Sequence, residues 1–200
     1  MPESAVFDWN LDYLSHQTPW DTGQPAPELR QAIESGQIRP GRAFELGCGR
    51  GTDAMYLAYN GFSVTAVDYS SVALAHARVL AAEANIPVEF LEADICHFAH
   101  PIKPVDFVLD CGCYEHLRQT DQHRAEYMAT LRRITQVGSQ YLLLMRRPDP
   151  KGHSGTGNSI QDVLAEFGDD FEWDKAASAD LDRSSESLDH WSLLLIRGSK

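Results

Sequence analysis

The 200-residue sequence predicts an α/β fold built on a largely parallel sheet. Three observations carry that prediction. After residue 42, short strand signals alternate with segments of helical periodicity. The first strand runs directly into a glycine-rich turn that opens a helix, in Phe44-Glu45-Leu46-Gly47-Cys48-Gly49-Arg50-Gly51-Thr52. A later strand, Gln140 to Met145, is nearly all apolar, as expected of a strand covered on both faces.

The elements follow in order. Residues 1–42 form a helical cap or lid whose first helix and exit run from Phe7 to Pro27. Residues 43–200 form the core, and the whole chain reads as one domain. A first crossover helix over 51–60 ends at Gly61. Ser63 to Val67 is the second strand, and Asp68 ends it. Ser70 or Ser71 caps a helix from Val72 to about Ala84, which Asn85 and Pro87 stop. Val88 to Ile95 alternates apolar and polar residues as a third strand. Pro104 to Asp110 is the fourth. Thr120 or Asp121 opens a helix carrying Ala125, Met128, Leu131 and Ile134 on one face, and Gly138 closes it. After the fifth strand, Pro148 to Gly157 is a Gly/Pro/Ser loop and Asn158 to Phe167 a helix. Phe171 to Trp173 and His190 to Ile196 are two closing strands, separated by an acidic surface loop from Ala176 to Asp189.

The glycine turn lets a ligand approach bare backbone at the carboxyl edge of the sheet. Asp68, at the end of the next strand, can accept hydrogen bonds from both hydroxyls of a ribose. A nucleoside cofactor follows. A dinucleotide fingerprint reads G-x-G-x-x-G, whereas Gly47, Gly49 and Gly51 are spaced G-x-G-x-G and Thr52 holds the third fingerprint position. Glu45 precedes the glycines. A carboxylate there repels a pyrophosphate and suits a ligand carrying an ammonium and a sulfonium. NAD is the competing cofactor.

This acid-x-Gly-x-Gly-x-Gly run, followed by Asp68, resembles the class I S-adenosylmethionine-dependent methyltransferases. The resemblance implies a Rossmann-like, mostly parallel seven-stranded sheet with helices on both faces. It implies S-adenosylmethionine as cofactor and S-adenosylhomocysteine as product. It assigns Glu45, Gly47, Cys48, Gly49 and Asp68 to the cofactor, Asp94 and Ile95 to its adenine, and backbone around Cys111 to its amino group. Tyr69 could also cover the adenine. The segment Pro19-Trp20-Asp21-Thr22-Gly23 looks like the one preceding the core in the thiopurine and thiol methyltransferase branch, which places Trp20 over the cofactor. A small thiol or related chalcogen compound is then the expected acceptor. N- or O-methylation of a small metabolite is the alternative, and an oxidoreductase or a non-catalytic binding module is more remote.

The acceptor belongs at the same sheet edge. Tyr13 and His16 either cover its pocket or staple the cap to the sheet. In the turn Asp110-Cys111-Gly112-Cys113-Tyr114-Glu115-His116, Tyr114 and His116 are the candidate catalytic groups and Glu115 a candidate acceptor contact. Histidine has a suitable pKa for a base near neutrality. Arg146 could hold a substrate carboxylate, or be solvated with Arg147; the loop after them suits a lid.

Bulk properties narrow the class. A formal net charge of −12 argues against nucleic acid as substrate. No stretch approaches the roughly 18 apolar residues of a membrane span, and the opening MPESAVFDWN lacks the basic and apolar regions of a signal peptide. A cytoplasmic enzyme is expected, monomeric or homodimeric. The four cysteines, Cys48, Cys96, Cys111 and Cys113, contain no C-x-x-C pair and read as reduced thiols. No metal site is expected, although Cys111, Cys113 and His116, or Cys96, His97 and His100, carry ligand-type side chains.

Overall fold

In the computed structural model, residues 8–146, 159–174, 178 and 190–199 are described. The loop expected at Pro148 to Gly157, Arg147, Phe7 and most of the acidic stretch from Ala176 to Asp189 lie outside these residues. The elements are α1 (Trp9–Leu14), α2 (Pro27–Glu34), β1 (Arg42–Leu46), α3 (Thr52–Tyr59), β2 (Ser63–Asp68), α4 (Ser71–Ala84), β3 (Glu89–Glu92) and β4 (Val105–Cys111). They continue as α5 (Cys113–Leu117), α6 (Asp121–Ile134), β5 (Thr135–Arg146), α7 (Ile160–Phe167), β6 (Phe171–Trp173) and β7 (His190–Arg197).

The seven strands lie in the order β3-β2-β1-β4-β5-β7-β6. The first five are parallel, and β7 runs antiparallel between β5 and β6. This is the expected Rossmann-like arrangement. Side-chain alternation sorts the strands onto two faces. Ala43, Ala66, Phe107, Leu109, Leu142 and Leu144 pack under α2, α3 and α4. Phe44, Leu46, Val67, Val108, Tyr141 and Leu143 pack under α5, α6 and α7.

Three boundaries differ from the sequence reading, each for a local reason. The third strand stops at Glu92, not Ile95. Asp94 takes the Cys96 N–H on Oδ1 at 2.8 Å, a turn that bends the chain out of the sheet. The long helix ends at Ile134, four residues before Gly138. Thr135 Oγ1 donates to the Leu131 carbonyl at 2.7 Å, and the chain goes directly into β5. Gly138, at φ 86°, sits instead in an irregularity of β5, where pairing with β4 jumps from Val105–Thr135 to Phe107–Gln140. Ser139 Oγ spans that irregularity, taking the Gln136 N–H and donating to the Val105 carbonyl. Third, the turn after β4 contains a short helix, α5, entered through Gly112 at φ 89°.

Candidate cofactor and acceptor site

The strand order reverses between β1 and β4. The helix after β1 covers one face and the helices after β4 cover the other, so a crevice opens at their carboxyl ends. Its floor is the glycine turn. Gly51, at φ 74°, enters α3, and a Cβ there would sit 2.7 Å from Phe90 Cε1 and 3.3 Å from Ala77 Cβ. Only glycine lets α3 approach the sheet this closely. A Cβ on Gly49 would meet Tyr13 Oη at 2.5 Å, so the cap rests directly on the turn.

Three carboxylates face this floor from successive strand ends. Glu45 on β1 is buried, and its Oε2 has no hydrogen-bond partner among the described residues. Burial, reinforced by Asp53 and Asp68, pushes its carboxyl well above the usual range. Asp68 closes β2. Its Oδ2 accepts the Gly49 N–H at 2.7 Å and its Oδ1 the Ser70 N–H at 2.8 Å, tying the turn to the entry of α4. The carboxylate keeps acceptor capacity beyond these two bonds. Burial raises the Asp68 pKa, opposed by those backbone bonds. Asp94 lies two residues beyond β3, with Oδ2 2.8 Å from His97 Nδ1. It lines a cavity of about 260 Å³ with Asn10, Tyr69, Glu92 and Ala93. Tyr69 is 63% exposed there, whereas Ile95 is buried in the core beside Phe44 and Phe98.

Several contacts bind the cap to the core. Asn10 Oδ1 takes the Ser70 hydroxyl at 2.8 Å and the Val72 N–H at 3.2 Å. Arg50 Nη1 meets Asp21 Oδ2 at 3.2 Å. Asp53 Oδ1 accepts the Ala26 N–H at 2.8 Å. Tyr13 is buried against Gly49 and its Oη accepts from Trp20 Nε1 at 3.4 Å. His16 does not join this group: it is exposed, at φ 56°, just past the end of α1.

Across the crevice, Asp110 organises the turn that carries the candidate catalytic groups. It is fully buried and accepts the Cys113 and Tyr114 N–H groups and the Tyr127 hydroxyl, the last at 2.6 Å. Tyr127 Oη is 2.9 Å from Tyr141 Oη. Burial pushes the Asp110 carboxyl up to about 7. Capped this way, α5 turns its residues in different directions. Tyr114 points into the core, fully buried against Tyr127 and Phe167, with its hydroxyl donating to Glu166. The expectation that Tyr114 faces an acceptor is corrected by this packing. Glu166 also takes Arg118 Nη2 at 2.6 Å, binding α7 to α5. His116 instead faces the cap, its ring 4.8 Å from Trp9 and nearly perpendicular to it. Burial pushes its pKa below the ordinary histidine value, which favours the neutral imidazole. Glu115 engages Arg146, accepting its N–H at 3.2 Å and lying 3.7 Å from its Nε. Cys48 is buried in the glycine turn and Cys111 exposed at the end of β4. Asn10 and Asp110 escaped the sequence reading, although Asp110 repeats the signal that revealed Asp68, an acid closing a strand before a helix.

An ionised carboxylate only accepts hydrogen bonds. Three carboxyl side chains in one crevice, once ionised, fit a ligand that presents donors: an ammonium, a ribose diol and an adenine amino group. They fit a pyrophosphate poorly. The family model described as a methyltransferase domain matches residues 43–138, which hold all three acids, the glycine turn and Asp110. Residues 43–138 thus form a methyltransferase domain. The chain is 29% identical over 146 residues to the 2-heptyl-1-hydroxyquinolin-4(1H)-one methyltransferase of Mycobacteroides abscessus, covering 72% of this chain and 63% of that protein. It is 34% identical over 74 residues to probable thiol methyltransferase 2 of Arabidopsis thaliana, covering 37% of this chain and 33% of the relative. The chain thus spans less than two thirds of the length of these relatives. Its fold matches the Burkholderia thailandensis 1,6-didemethyltoxoflavin-N1-methyltransferase with a TM-score of 0.70 at 17% identity, over 95% of this chain and 85% of that chain. None of its described helices is long and apolar enough to cross a membrane. Among the described residues, no group of three or more His, Cys, Asp or Glu side chains could hold a metal ion.

Proposed function

We propose that the protein methylates a small molecule with S-adenosylmethionine, and that Glu45, Asp68 and Asp94 hold the donor's ammonium, ribose and adenine. The observation that carries this reading is the orphaned Glu45 Oε2 beside a glycine turn that the neighbouring acid, Asp68, ties to the entry of α4. A buried carboxylate without a partner is costly, and a bound cation removes that cost. Tyr69, with Asn10 and Glu92, walls the adenine end. Tyr13 and Trp20 close the cap over the turn. When bound, the sulfonium supplies an electrophilic methyl group; the protein's part is alignment and the exclusion of water, which together are worth about 7 to 11 kcal/mol.

A thiol or related chalcogen acceptor needs little help with its proton, since a thiol is already a few per cent thiolate at pH 7. The similarity to the plant thiol methyltransferase supports that acceptor. N- or O-methylation is the second reading, and His116 favours it: a neutral imidazole on α5 can take the proton that a phenol or amine must lose. One relative is a 2-heptyl-1-hydroxyquinolin-4(1H)-one methyltransferase, and one fold neighbour is an N1-methyltransferase. Glu115 and Arg146, joined as a pair, border the same end of β4 and β5. We further read the protein as cytoplasmic, a monomer or homodimer, with no nucleic-acid partner, in keeping with its charge of −12.

Calorimetric titration with S-adenosylhomocysteine and with NAD tests this reading. Micromolar binding of the former alone, lost in Asp68→Ala, is expected. Binding of NAD, or of neither, refutes it.

A further inference from the structure

We infer that Asn10, on the cap, reads the purine of the cofactor, its side-chain amide donating to one acceptor nitrogen of the ring. This inference rests on the S-adenosylmethionine reading and deepens it, adding a donor that the three carboxylates cannot supply.

The orientation of this side chain is fixed. Oδ1 accepts the Val72 N–H at 3.2 Å and the Ser70 hydroxyl at 2.8 Å. A backbone N–H only donates, so the oxygen and nitrogen of the amide cannot exchange places. The Ser70 hydroxyl itself accepts the Ala73 N–H at 3.1 Å, which leaves its proton for Asn10. Both groups at the entry of α4 thus hold Oδ1. The opposite end of the amide, Nδ2, carries the N–H donors, and it meets no partner among the described residues. Asn10 borders the cavity of about 260 Å³ whose other walls are Tyr69, Glu92, Ala93 and Asp94.

The chemistry of those walls leaves one role open. Adenine offers donors at its amino group and acceptors at its ring nitrogens. Asp94 and Glu92, once ionised, only accept, so they serve the amino group and not the ring nitrogens. A ring nitrogen needs a donor. Tyr69 offers a hydroxyl, but on a side chain 63% exposed to water. Asn10 offers an amide already held at its other end, so little rotamer freedom is lost when it donates.

The same amide joins the cap to the cofactor. Asn10 belongs to α1, and its Oδ1 helps to hold α1 on α4. The bond to the purine forms only with the cap in place, so cofactor and cap each favour the docking of the other.

The test uses the full chain and calorimetry. The probes are S-adenosylhomocysteine and its 1-deaza, 3-deaza and 7-deaza forms, in each of which a C–H replaces one ring nitrogen. The variant is Asn10→Asp, which keeps an oxygen for Ser70 and Val72 and has no N–H. Its added charge acts on all four probes alike and cancels when each protein's losses are compared. One deaza form should bind the parent about three- to tenfold more weakly than S-adenosylhomocysteine, the worth of one hydrogen bond, and within about twofold of it in Asn10→Asp. Any losses with the other two forms should be the same in both proteins. Any other pattern overturns the inference but not the methyltransferase reading, and so does a variant that no longer binds S-adenosylhomocysteine, a loss too large for one hydrogen bond. Failure of the parent to bind S-adenosylhomocysteine overturns both.

Discussion

Replacing Asp110 with asparagine should leave the ligand-free protein little changed at pH 5 and make it more stable at pH 8. The carboxyl is fully buried and held at about 7, against 3.8 in the unfolded chain. A raised folded pKa means that the folded state binds the proton more tightly. The stability this contributes is complete below about pH 4 and is lost as pH rises toward 7. Between pH 5 and 7 the unfolded carboxyl is already ionised while the folded one keeps its proton. Two pH units at 1.36 kcal/mol each make a loss of about 3 kcal/mol. Asparagine has nearly the same shape and does not titrate. Its Oδ1 can keep the Cys113 and Tyr114 N–H groups, at 2.8 and 3.2 Å from the carboxylate oxygen it replaces. Its amide can donate to Tyr127 Oη if that hydroxyl turns to donate to Tyr141, 2.9 Å away. The assay is urea unfolding of both proteins at 25 °C from pH 5 to 8. The difference between variant and parent should grow by about 3 kcal/mol in favour of Asp110→Asn. A difference that stays constant within about 0.5 kcal/mol, or grows the other way, refutes the assignment of a buried, proton-holding Asp110.

Glu45 links ligand binding to pH. Burial holds its proton in the free protein, and an arriving ammonium should expel it. S-adenosylhomocysteine should therefore bind more tightly as pH rises, with a calorimetric enthalpy that depends on the buffer's ionisation heat; Glu45→Gln should abolish that dependence. Gly51→Ala forces a Cβ to within 2.7 Å of Phe90 at φ 74°, and should cost about 2 kcal/mol of stability by overpacking, read as a lowered Tm. Glu166→Gln removes the carboxylate that receives Arg118 and the Tyr114 hydroxyl. It should cost about 2 kcal/mol in urea unfolding, with the loss spread over α5 and α7 in hydrogen exchange.

What the sequence discloses here is what chain neighbours determine. Glu45, Gly49 and Gly51 are fixed relative to one another by a single turn, and the period-2 patterns of β1, β2, β4 and β5 assign their residues to the two faces of the sheet. Both are readable without knowing what lies across the sheet. Tyr114 shows where that stops. Its direction follows from Asp110 capping α5 and from Glu166, 52 positions further along the chain, receiving its hydroxyl. No local pattern announces either. The same holds for Trp9, whose place beside His116 depends on how the cap is tied to α4 through Asn10. The start of β5 was hidden for a different reason: Thr135 and Ser139 satisfy the backbone groups that a glycine stop would otherwise have to manage.

The attachment of the cap bears on the order in which the molecule assembles. Residues 9–21 precede every strand in the chain, yet Asn10 pairs with Ser70, 60 positions away, and Asp21 with Arg50, 29 away. During synthesis this segment leaves the ribosome before the surface it will cover has been made. It must stay undocked until β2 and the first turn of α4 exist, carrying three tryptophan and tyrosine side chains (Trp9, Tyr13, Trp20) with nowhere to bury them. A segment made before the sheet is thus among the last to settle, and the crevice is necessarily open for part of the protein's history before it is first roofed.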